Sequence, residues 1–522
     1  MHQVNLQHLA SYFPQTFSGV SHQTNISGIV LDSRQVKPGD IFVALEGGSF
    51  DGHQFIPEAV GRGAVAVVGT RPMTEINVPY LKVKDGRLAL AQLSAALYDF
   101  PGRELTVIGV TGTDGKTTTA NLIFEILGAS GIQAGLISTV NAQIGGRVLD
   151  TGFHVTTPEA PDVQRYLAEM VTAGITHVVL EATSHGLEQQ RVACCEFDLA
   201  VVTNITHEHL DYHGSYDAYR SAKGRLFSEL AVTHSKKRGN PRLAVLNQDD
   251  ISFEYLRDLV QDLEPVVQIV TYGLQAGAGV RGEKIDPHSH GLRFTARAGD
   301  LQIAIESNLI GAYNIPNCLA AIAATAVGLG VEGNFVQQGI SAMQGIPGRM
   351  EVIDLGQDFL AIVDFAHTPN ALQRALQTAR QLTKGRVIAV FGSAGLRDRT
   401  KRRIMAEVSA KLADVSVLTA EDPRIESLDE ILAEMAEGAQ SQDGQEGKSF
   451  WRIPDRGEAI RHAIHQAEPG DVVISCGKGH EQSMCFGDVE YPWDDRTAMR
   501  AALSELLGVE GPKMPYLPTQ EE

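Results

Sequence analysis

The segment Gly112-Thr113-Asp114-Gly115-Lys116-Thr117-Thr118 constrains this chain more than any other. It lies between a β-rich run, Leu105–Val110, and an apolar stripe of Leu122, Ile123, Ile126 and Leu127. That stripe has the spacing of one helix face, so a helix is predicted to begin near Lys116. Glycines at a strand-to-helix junction let backbone N–H groups converge on phosphate oxygens, and the helix N-terminus adds positive potential. Lys116 is placed to reach terminal phosphates, and the Thr117 hydroxyl to bind Mg²⁺. The alternative is a plain tight turn with Lys116 in solvent, which Lys-Thr-Thr at this junction argues against. Val110 stands where the strict GxxxxGK[ST] pattern requires glycine, so the loop is a variant of it.

Further strands are predicted at His177–Leu180 and Leu199–Thr203, alternating with helical segments, which points to an α/β fold with a parallel, doubly wound sheet. Before them, residues 1–102 hold short segments such as Gly28–Leu31 and Ile41–Leu45, separated by turn sequences. After the turn Gly345–Gly348 a second α/β series is expected, with strands at Leu360–Val363, Arg386–Phe391, Val415–Thr419 and Val472–Ser475. The resulting division is 1–102, 103–347 and 348–510, followed by a disordered tail, 511–522. Glu437–Lys448, rich in Gln, Gly, Ser and Asp, also reads as unstructured. A length of 522 residues suits two to four domains.

Sixty-three acidic against 44 basic residues give a formal charge of −19. That argues against non-specific nucleic-acid binding, which needs a basic face. It leaves room for an anionic substrate held by a local loop and metal. The five cysteines form no CxxC pair, and adjacent Cys194 and Cys195 are expected to be small buried hydrophobes. No signal peptide is evident, and no apolar run approaches the ~18 residues of a membrane span. A cytoplasmic enzyme with no membrane span, acting as a monomer, is the expectation.

Two polar blocks follow predicted strands, where α/β sheets bind ligands. One is Glu181 to Arg191, containing Thr183, His185 and Gln189; the other is Asn204 to Gly214, containing His207, His209, Asp211 and His213. Taken alone, His207 and His213 read as surface or cap residues. Lys223 alone reads as an exposed helical lysine.

Together these strings resemble the Mur ligases. The loop matches that family's GT(N/D)GKT(T/S) variant, shared with folylpolyglutamate synthetases. The family's E-x-S-S-H-x-L-x-Q-x-R block corresponds to Glu181–Arg191, its HLD block to His209-Leu210-Asp211, and its Y-x-x-A-K run to Tyr219–Lys223. The resemblance implies three domains: a small N-terminal α/β UDP-binding domain, a central P-loop ATPase-like domain and a C-terminal Rossmann-like domain. It implies ATP binding by Gly112, Thr113, Asp114, Gly115, Lys116, Thr117 and Thr118, with Asn314, Arg349 and Asp364. It makes Lys116, Glu181, His209 and Lys223 catalytic. Mg²⁺, as two ions, would be held by Thr117, Glu181, His209 and a carbamylated Lys223.

The block Leu31–Leu45, with Asp32-Ser33-Arg34, resembles the UDP-sugar domain of the tripeptide and pentapeptide branches; a turn capped by Asp32 is the alternative. The implied contacts to UDP-MurNAc-dipeptide are Ser33, Thr156, Thr157, Thr183, Gln189 and Arg191. C-terminal strings at Phe391–Arg402, Glu421–Arg424, Gly477–Glu481 and Asp494–Arg496 resemble the tripeptide branch. They imply a diamino-acid site of Arg397, Asp422, Arg424, Gly477 and Glu481. The diaminopimelate enzymes carry DNPR where this chain has Glu421-Asp422-Pro423-Arg424. Arg424 suits the distal carboxylate of meso-diaminopimelate, while the added acidity would suit the bare ammonium of L-lysine or L-ornithine. The implied reaction activates the D-Glu γ-carboxylate of UDP-MurNAc-L-Ala-D-Glu as an acyl phosphate, using ATP, and lets the diamino acid's amine displace phosphate, with closure of the C-terminal domain over the site. Rival readings are a folylpolyglutamate synthetase-like ligase, which the Asp32-Ser33-Arg34 and Gly477–Glu481 strings oppose, and a non-catalytic ATP-binding scaffold, which the full catalytic set opposes. A GTPase lacks its NKxD motif here.

Overall fold

Thr106–Thr111 is buried along its whole length, the signature of a strand covered on both faces rather than one with a wet side. The computed structural model, describing residues 4–12, 24–47, 51–73, 76–149, 157–206, 210–288 and 291–521, places it inside a parallel sheet. The chain forms two compact units: Met1–Glu283, Ala296–Ile303 and Pro316–Gly339; and Lys284–Thr295, Ala304–Ile315 and Ile340–Glu522.

Besides a two-stranded pair, Val4–Asn5 with Asn25–Ile26, the described residues of the first unit contribute to two larger sheets. β1 (Gly28–Val30), β2 (Asp40–Val43), β3 (Ala66–Gly69) and β4 (Tyr80–Lys82) pair in sequence order, all parallel. Helix α1 (Gly86–Leu97) starts where the Asp85 side chain accepts the Arg87 and Leu88 N–H groups. Its Leu90 and Leu93 share an apolar layer with Phe100, Ala160 and Ala193.

The larger sheet is built from β5 (Thr106–Thr111), β6 (Ala134–Ile137), β7 (Ala142–Ile144), β8 (Arg147–Leu149), β9 (His177–Glu181), β10 (Phe197–Val202), β11 (Leu243–Asn247) and β12 (Gln268–Gly273). Within this unit its order is β8-β7-β6-β9-β5-β10-β11-β12. β6, β9, β5, β10, β11 and β12 are parallel, while β7 and β8 form an antiparallel edge. From β5 the chain builds towards β6 and β9, then crosses to β10 on the other side. The carboxyl end of β5 is therefore a topological switch point, where such sheets bind ligands. Helix α2 (Lys116–Ala129) begins there, where the sequence predicts it.

The second unit carries β13 (Glu351–Ile353), β14 (Leu360–Asp364), β15 (Val387–Phe391), β16 (Val415–Leu418), β17 (Phe450–Arg452) and β18 (Val472–Cys476) in the order β13-β14-β18-β15-β16-β17. All are parallel except β13. The ends of β14, β15, β16 and β18 therefore face one way, and each leads into a string singled out from sequence.

Two expected unstructured segments are ordered instead. The helix Leu428–Gln440 covers the start of Glu437–Lys448, because Met435, Ala436 and Ala439 bury an apolar face between its polar residues. Beyond it, Gln445 N–H donates to Ser449 Oγ at 2.9 Å. In the tail, Leu517 is fully buried and Thr519 donates to Asp455 at 2.7 Å. Composition hid the tail because one apolar anchor among polar residues suffices to dock it.

Candidate functional site

Residues following β10 brace the phosphate loop. Thr113 N–H donates to Asn204 O (2.7 Å), Asp114 N–H to Asn204 Oδ1 (3.1 Å), and Thr203 Oγ1 to Asp114 O (2.6 Å). Gly115 opens α2 at φ 79°, and a Cβ there would lie 2.2 Å from Asn317 Oδ1, so only glycine serves. The first N–H groups of a helix have no intrahelical acceptor, which leaves those of α2 to face an anion. Lys116 Nζ donates back to Thr113 O at 2.9 Å, keeping the cation over the loop. Thr118 packs inward behind it.

Glu181, at the end of β9, is buried beside the start of α2. Thr117 Oγ1 lies 3.1 and 3.0 Å from its two carboxylate oxygens, and Thr139 N–H donates to Oε2 at 3.0 Å. A hydroxyl and a carboxylate at the phosphate loop are the hard oxygen donors that Mg²⁺ prefers, so these residues fit that ion. Among the described residues no group of three His, Cys, Asp or Glu side chains gathers elsewhere to hold a metal. A magnesium site completed by substrate phosphates needs none. His209 and Thr156 lie outside the described residues.

Lys223 overturns the expectation of an exposed lysine. Helix α3 (Tyr216–Val232) turns Tyr219, Ala222, Lys223, Leu226, Phe227 and Leu230 inward on one face. Lys223 is only 2% exposed, its Nζ 2.6 Å from Gly112 O and 4.5 Å from the centre of the Tyr219 ring. Tyr219 OH in turn meets Thr113 Oγ1 at 3.0 Å. His213 is likewise no surface residue: its ring is enclosed, with Nε2 3.1 Å from Ser184 Oγ and Nδ1 3.0 Å from Glu188. The sequence shows why only in retrospect, since Ser184 and Glu188 both belong to the Glu181–Arg191 block.

Four of the expected dipeptide contacts, Thr157, Thr183, Gln189 and Arg191, form one network. Thr157 Oγ1 donates to Glu181 O (3.2 Å), accepts Thr183 N–H (3.1 Å), and lies 3.1 Å from Thr183 Oγ1. Arg191 donates to Thr157 O (2.9 Å) and Gln189 Oε1 (2.8 Å) and pairs with Glu159 at 2.9 Å. Gln189 reaches Tyr212 OH at 3.0 Å, a partner sequence reasoning missed. Ser33 stands in the other sheet's domain, donating to Glu58 at 2.9 Å within a short turn that Asp32 does cap. Burial pushes the Cys194 thiol up to about 12, and Cys195 well above its ordinary value.

In the second unit, Asp364 ends β14 and accepts Met350 N–H and Ala366 N–H, both at 2.8 Å. Arg349 lies over the Phe365 ring at 4.4 Å. Asn314 is buried and donates to Ile310 O at 2.8 Å. A buried Arg456–Asp495 pair, with contacts of 2.7 and 2.6 Å, ties the neighbouring loops together. Arg456 also donates to Ala420 O after β16 (3.0 Å) and to Cys476 O in β18 (2.8 Å).

Those two loops carry the expected amino-acid site, except Arg397, which is exposed after β15. Lys478, which sequence reasoning did not select, is fully buried between Asp422, 3.0 Å from both oxygens, and Glu481 Oε2 at 2.5 Å. Burial pushes its ammonium down, but Glu481 and Asp422 more than offset this and hold it above the ordinary lysine value. Lys478 thus offsets part of the expected surplus of negative charge. Lys478 answers Asp422, and burial raises the Glu421 carboxyl against the pull of Lys401 and Arg456. Glu421 Oε2 has no hydrogen-bond partner and faces Gly477, where a Cβ would come within 2.3 Å of it. Arg424 has a buried Nε without a partner.

Three histidines give this chain an acid sensitivity. Burial, with Arg238 adding to it, lowers His177 to about 4; burial, then Lys401, lowers His367 to about 4; burial, then Arg349, lowers His480 to about 3. Each is neutral when folded, whereas the unfolded chain takes up protons below the ordinary value of ~6.5. Their contribution is thus complete above that value and is lost as pH falls towards the folded values. Denaturant titrations are expected to show falling stability from pH ~6.5 to ~5.5, less steeply in His177→Gln, which lies outside the sites described. Equal slopes in both proteins would refute the assignment for His177.

Comparison with known proteins agrees with this geometry. The chain matches the family models described as Mur ligase family, catalytic domain (residues 25–98), Mur ligase middle domain (110–325) and Mur ligase, glutamate ligase domain (348–479). It is 41% identical over 502 residues to the UDP-N-acetylmuramoyl-L-alanyl-D-glutamate--2,6-diaminopimelate ligase of Geobacillus thermodenitrificans (strain NG80-2), covering 96% of this chain and 100% of that one. It is 43% identical over 494 residues to the UDP-N-acetylmuramyl-tripeptide synthetase of Roseiflexus sp. (strain RS-1), covering 92% and 95%. A solved UDP-N-acetylmuramoyl-L-alanyl-D-glutamate--2,6-diaminopimelate ligase superposes with a TM-score of 0.67 at 31% identity, covering 97% of this chain and 99% of that one.

Proposed function

The chain belongs to the Mur ligase family, and from that premise we propose that it adds meso-2,6-diaminopimelate to UDP-MurNAc-L-Ala-D-Glu with hydrolysis of ATP, in peptidoglycan precursor synthesis. The observation that carries the choice of amino acid is Arg424, whose Nε is buried and unpartnered while neighbouring Asp422 and Glu481 are both paired with Lys478. Asp422, Glu481, Lys478 and Arg424 sum to zero charge. A neutral pocket suits the zwitterionic distal centre of diaminopimelate better than the bare ammonium of lysine or ornithine. A guanidinium grips a carboxylate bidentately, which supports Arg424 for the distal carboxylate.

The reaction must activate a carboxylate in water. The helix N-terminus, Gly112–Thr118 and Lys116 bind the ATP phosphates, and Lys116 stabilises charge on the transferring phosphoryl group. Thr157, Thr183, Gln189 and Arg191, with Thr156 and Ser33, orient the UDP-dipeptide so that its γ-carboxylate attacks that phosphoryl group, forming an acyl phosphate as the bond to the β-phosphate breaks and ADP leaves. Asn314, Arg349 and Asp364 complete the nucleotide contacts. Thr117, Glu181, His209 and the carbamate of Lys223 would hold Mg²⁺, which would supply charge compensation between the two anions. Gly477 and Glu481, with Arg397, Asp422 and Arg424, hold the diamino acid as its amine displaces phosphate.

We place the domain limits at 102/103 and 347/348. No helix among the described residues is long and apolar enough to cross a membrane, and a cytoplasmic site of action follows from the dependence on ATP and a UDP-linked substrate. The test is phosphate release with ATP and UDP-MurNAc-L-Ala-D-Glu, comparing meso-diaminopimelate, L-lysine and L-ornithine. A preference of about 100-fold or more in kcat/KM for diaminopimelate is expected, since the buried, unpartnered Nε of Arg424 penalises substrates lacking the carboxylate. Preference for lysine or ornithine would overturn the amino-acid assignment while leaving the ligase reaction in place.

A further inference from the structure

A buried lysine is tolerated only when its charge is answered, and Lys478 is answered from two loops. Asp422 lies on the loop after β16 and Glu481 on the loop after β18; the Lys478 ammonium meets both, at 3.0 and 2.5 Å. The first loop needs such a tie. Asp422 and Arg424 hold left-handed backbone angles, φ 42° and 55°, which side-chain-bearing residues adopt only under restraint. Asp422 Oδ1 also accepts the Cys485 N–H (2.9 Å), Arg424 N–H donates to Cys485 O (3.1 Å), and Gly487 N–H donates to Arg424 O (2.8 Å). Lys478 thus joins the strained loop to the loop bearing Glu481 through a buried charge, beside the Arg456 link between the same segments.

We propose that Lys478 is a positioning residue for recognition of the diamino acid: it holds Asp422 and Glu481 as a preformed acceptor pair for the substrate's distal ammonium and leaves Arg424 for the carboxylate. The acidic departure Glu421-Asp422 then does not convert the pocket into a cation site, because the added charge is cancelled internally. This rests on the reading of the pocket as the amino-acid site.

The experiment is initial-rate phosphate release by the full chain, varying each substrate in turn, for wild type, Lys478→Met and Lys478→Met/Asp422→Asn. In Lys478→Met the KM for diaminopimelate is expected to rise about tenfold or more, while those for ATP and UDP-dipeptide stay within about twofold and kcat at saturation is largely kept. The double variant should recover much of the loss, since a neutral amide still accepts the Cys485 N–H without stranding a buried charge. It also covers the case in which the single variant fails to fold, because failure of both to regain amino-acid affinity would overturn the proposal. So would an unmoved KM in folded Lys478→Met, or an equal rise for all three substrates. A wild type silent with every diamino acid would remove the functional reading as well; an active wild type with an unmoved Lys478→Met removes this proposal alone.

Discussion

Lys116→Ala is expected to lower ATP-dependent phosphate release by about 10³-fold while binding of UDP-MurNAc-L-Ala-D-Glu changes by no more than about twofold. The loop is braced without the side chain: Asn204 and Thr203 hold Thr113 and Asp114, and Glu181 holds Thr117. Removing Lys116 costs the fold only its bond to Thr113 O, so the variant should keep its shape. The transferring phosphoryl group, by contrast, loses the one mobile cation of the loop, where positioning and charge stabilisation supply nearly all of the catalysis. Phosphate release and calorimetric titration with UDP-dipeptide separate these effects. Retained turnover would remove Lys116 from its role, and loss of dipeptide binding would mean that the loop had collapsed.

The sequence discloses the parallel sheets because their strands are short, mostly apolar runs ending in glycine or a polar block. β5, β9, β14, β15 and β18 all fall within a residue or two of where such runs stop. It discloses the phosphate loop because glycine, lysine and threonine at a strand-to-helix junction have few other uses. What it conceals is charge answered at a distance. Lys478 and Asp422 are 56 residues apart, and only the fold shows that one cancels the other. For that reason an acidic substitution that reads as a free cation site is already engaged by a buried ammonium. His213 hides the same way, its partners Ser184 and Glu188 lying on another helix. Lys223 was more accessible: Tyr219, Lys223, Leu226 and Leu230 share a helical face, and a lysine on an apolar face is already a sign of burial.

Lys223 yields the second large effect, and burial alone does not define its role. If the lysine acts as a carbamate bearing two metal-facing oxygens, no other side chain can replace it, and Lys223→Met and Lys223→Arg should both lose about 10³-fold or more in turnover. If instead it acts as an ammonium bracing Gly112 O from 2.6 Å, arginine keeps a donor and a charge, and Lys223→Arg should retain a substantial share of activity that Lys223→Met lacks. The two variants therefore divide the readings by chemistry rather than by stability. A direct signature accompanies them: wild type equilibrated with ¹³C-bicarbonate should show a carbamate carbonyl resonance that both variants lack. Depleting dissolved CO₂ should lower wild-type turnover and restoring it should recover the loss. An active Lys223→Arg without the resonance would return Lys223 to the loop's scaffold and leave Thr117, Glu181 and His209 as the proposed protein ligands of the metal.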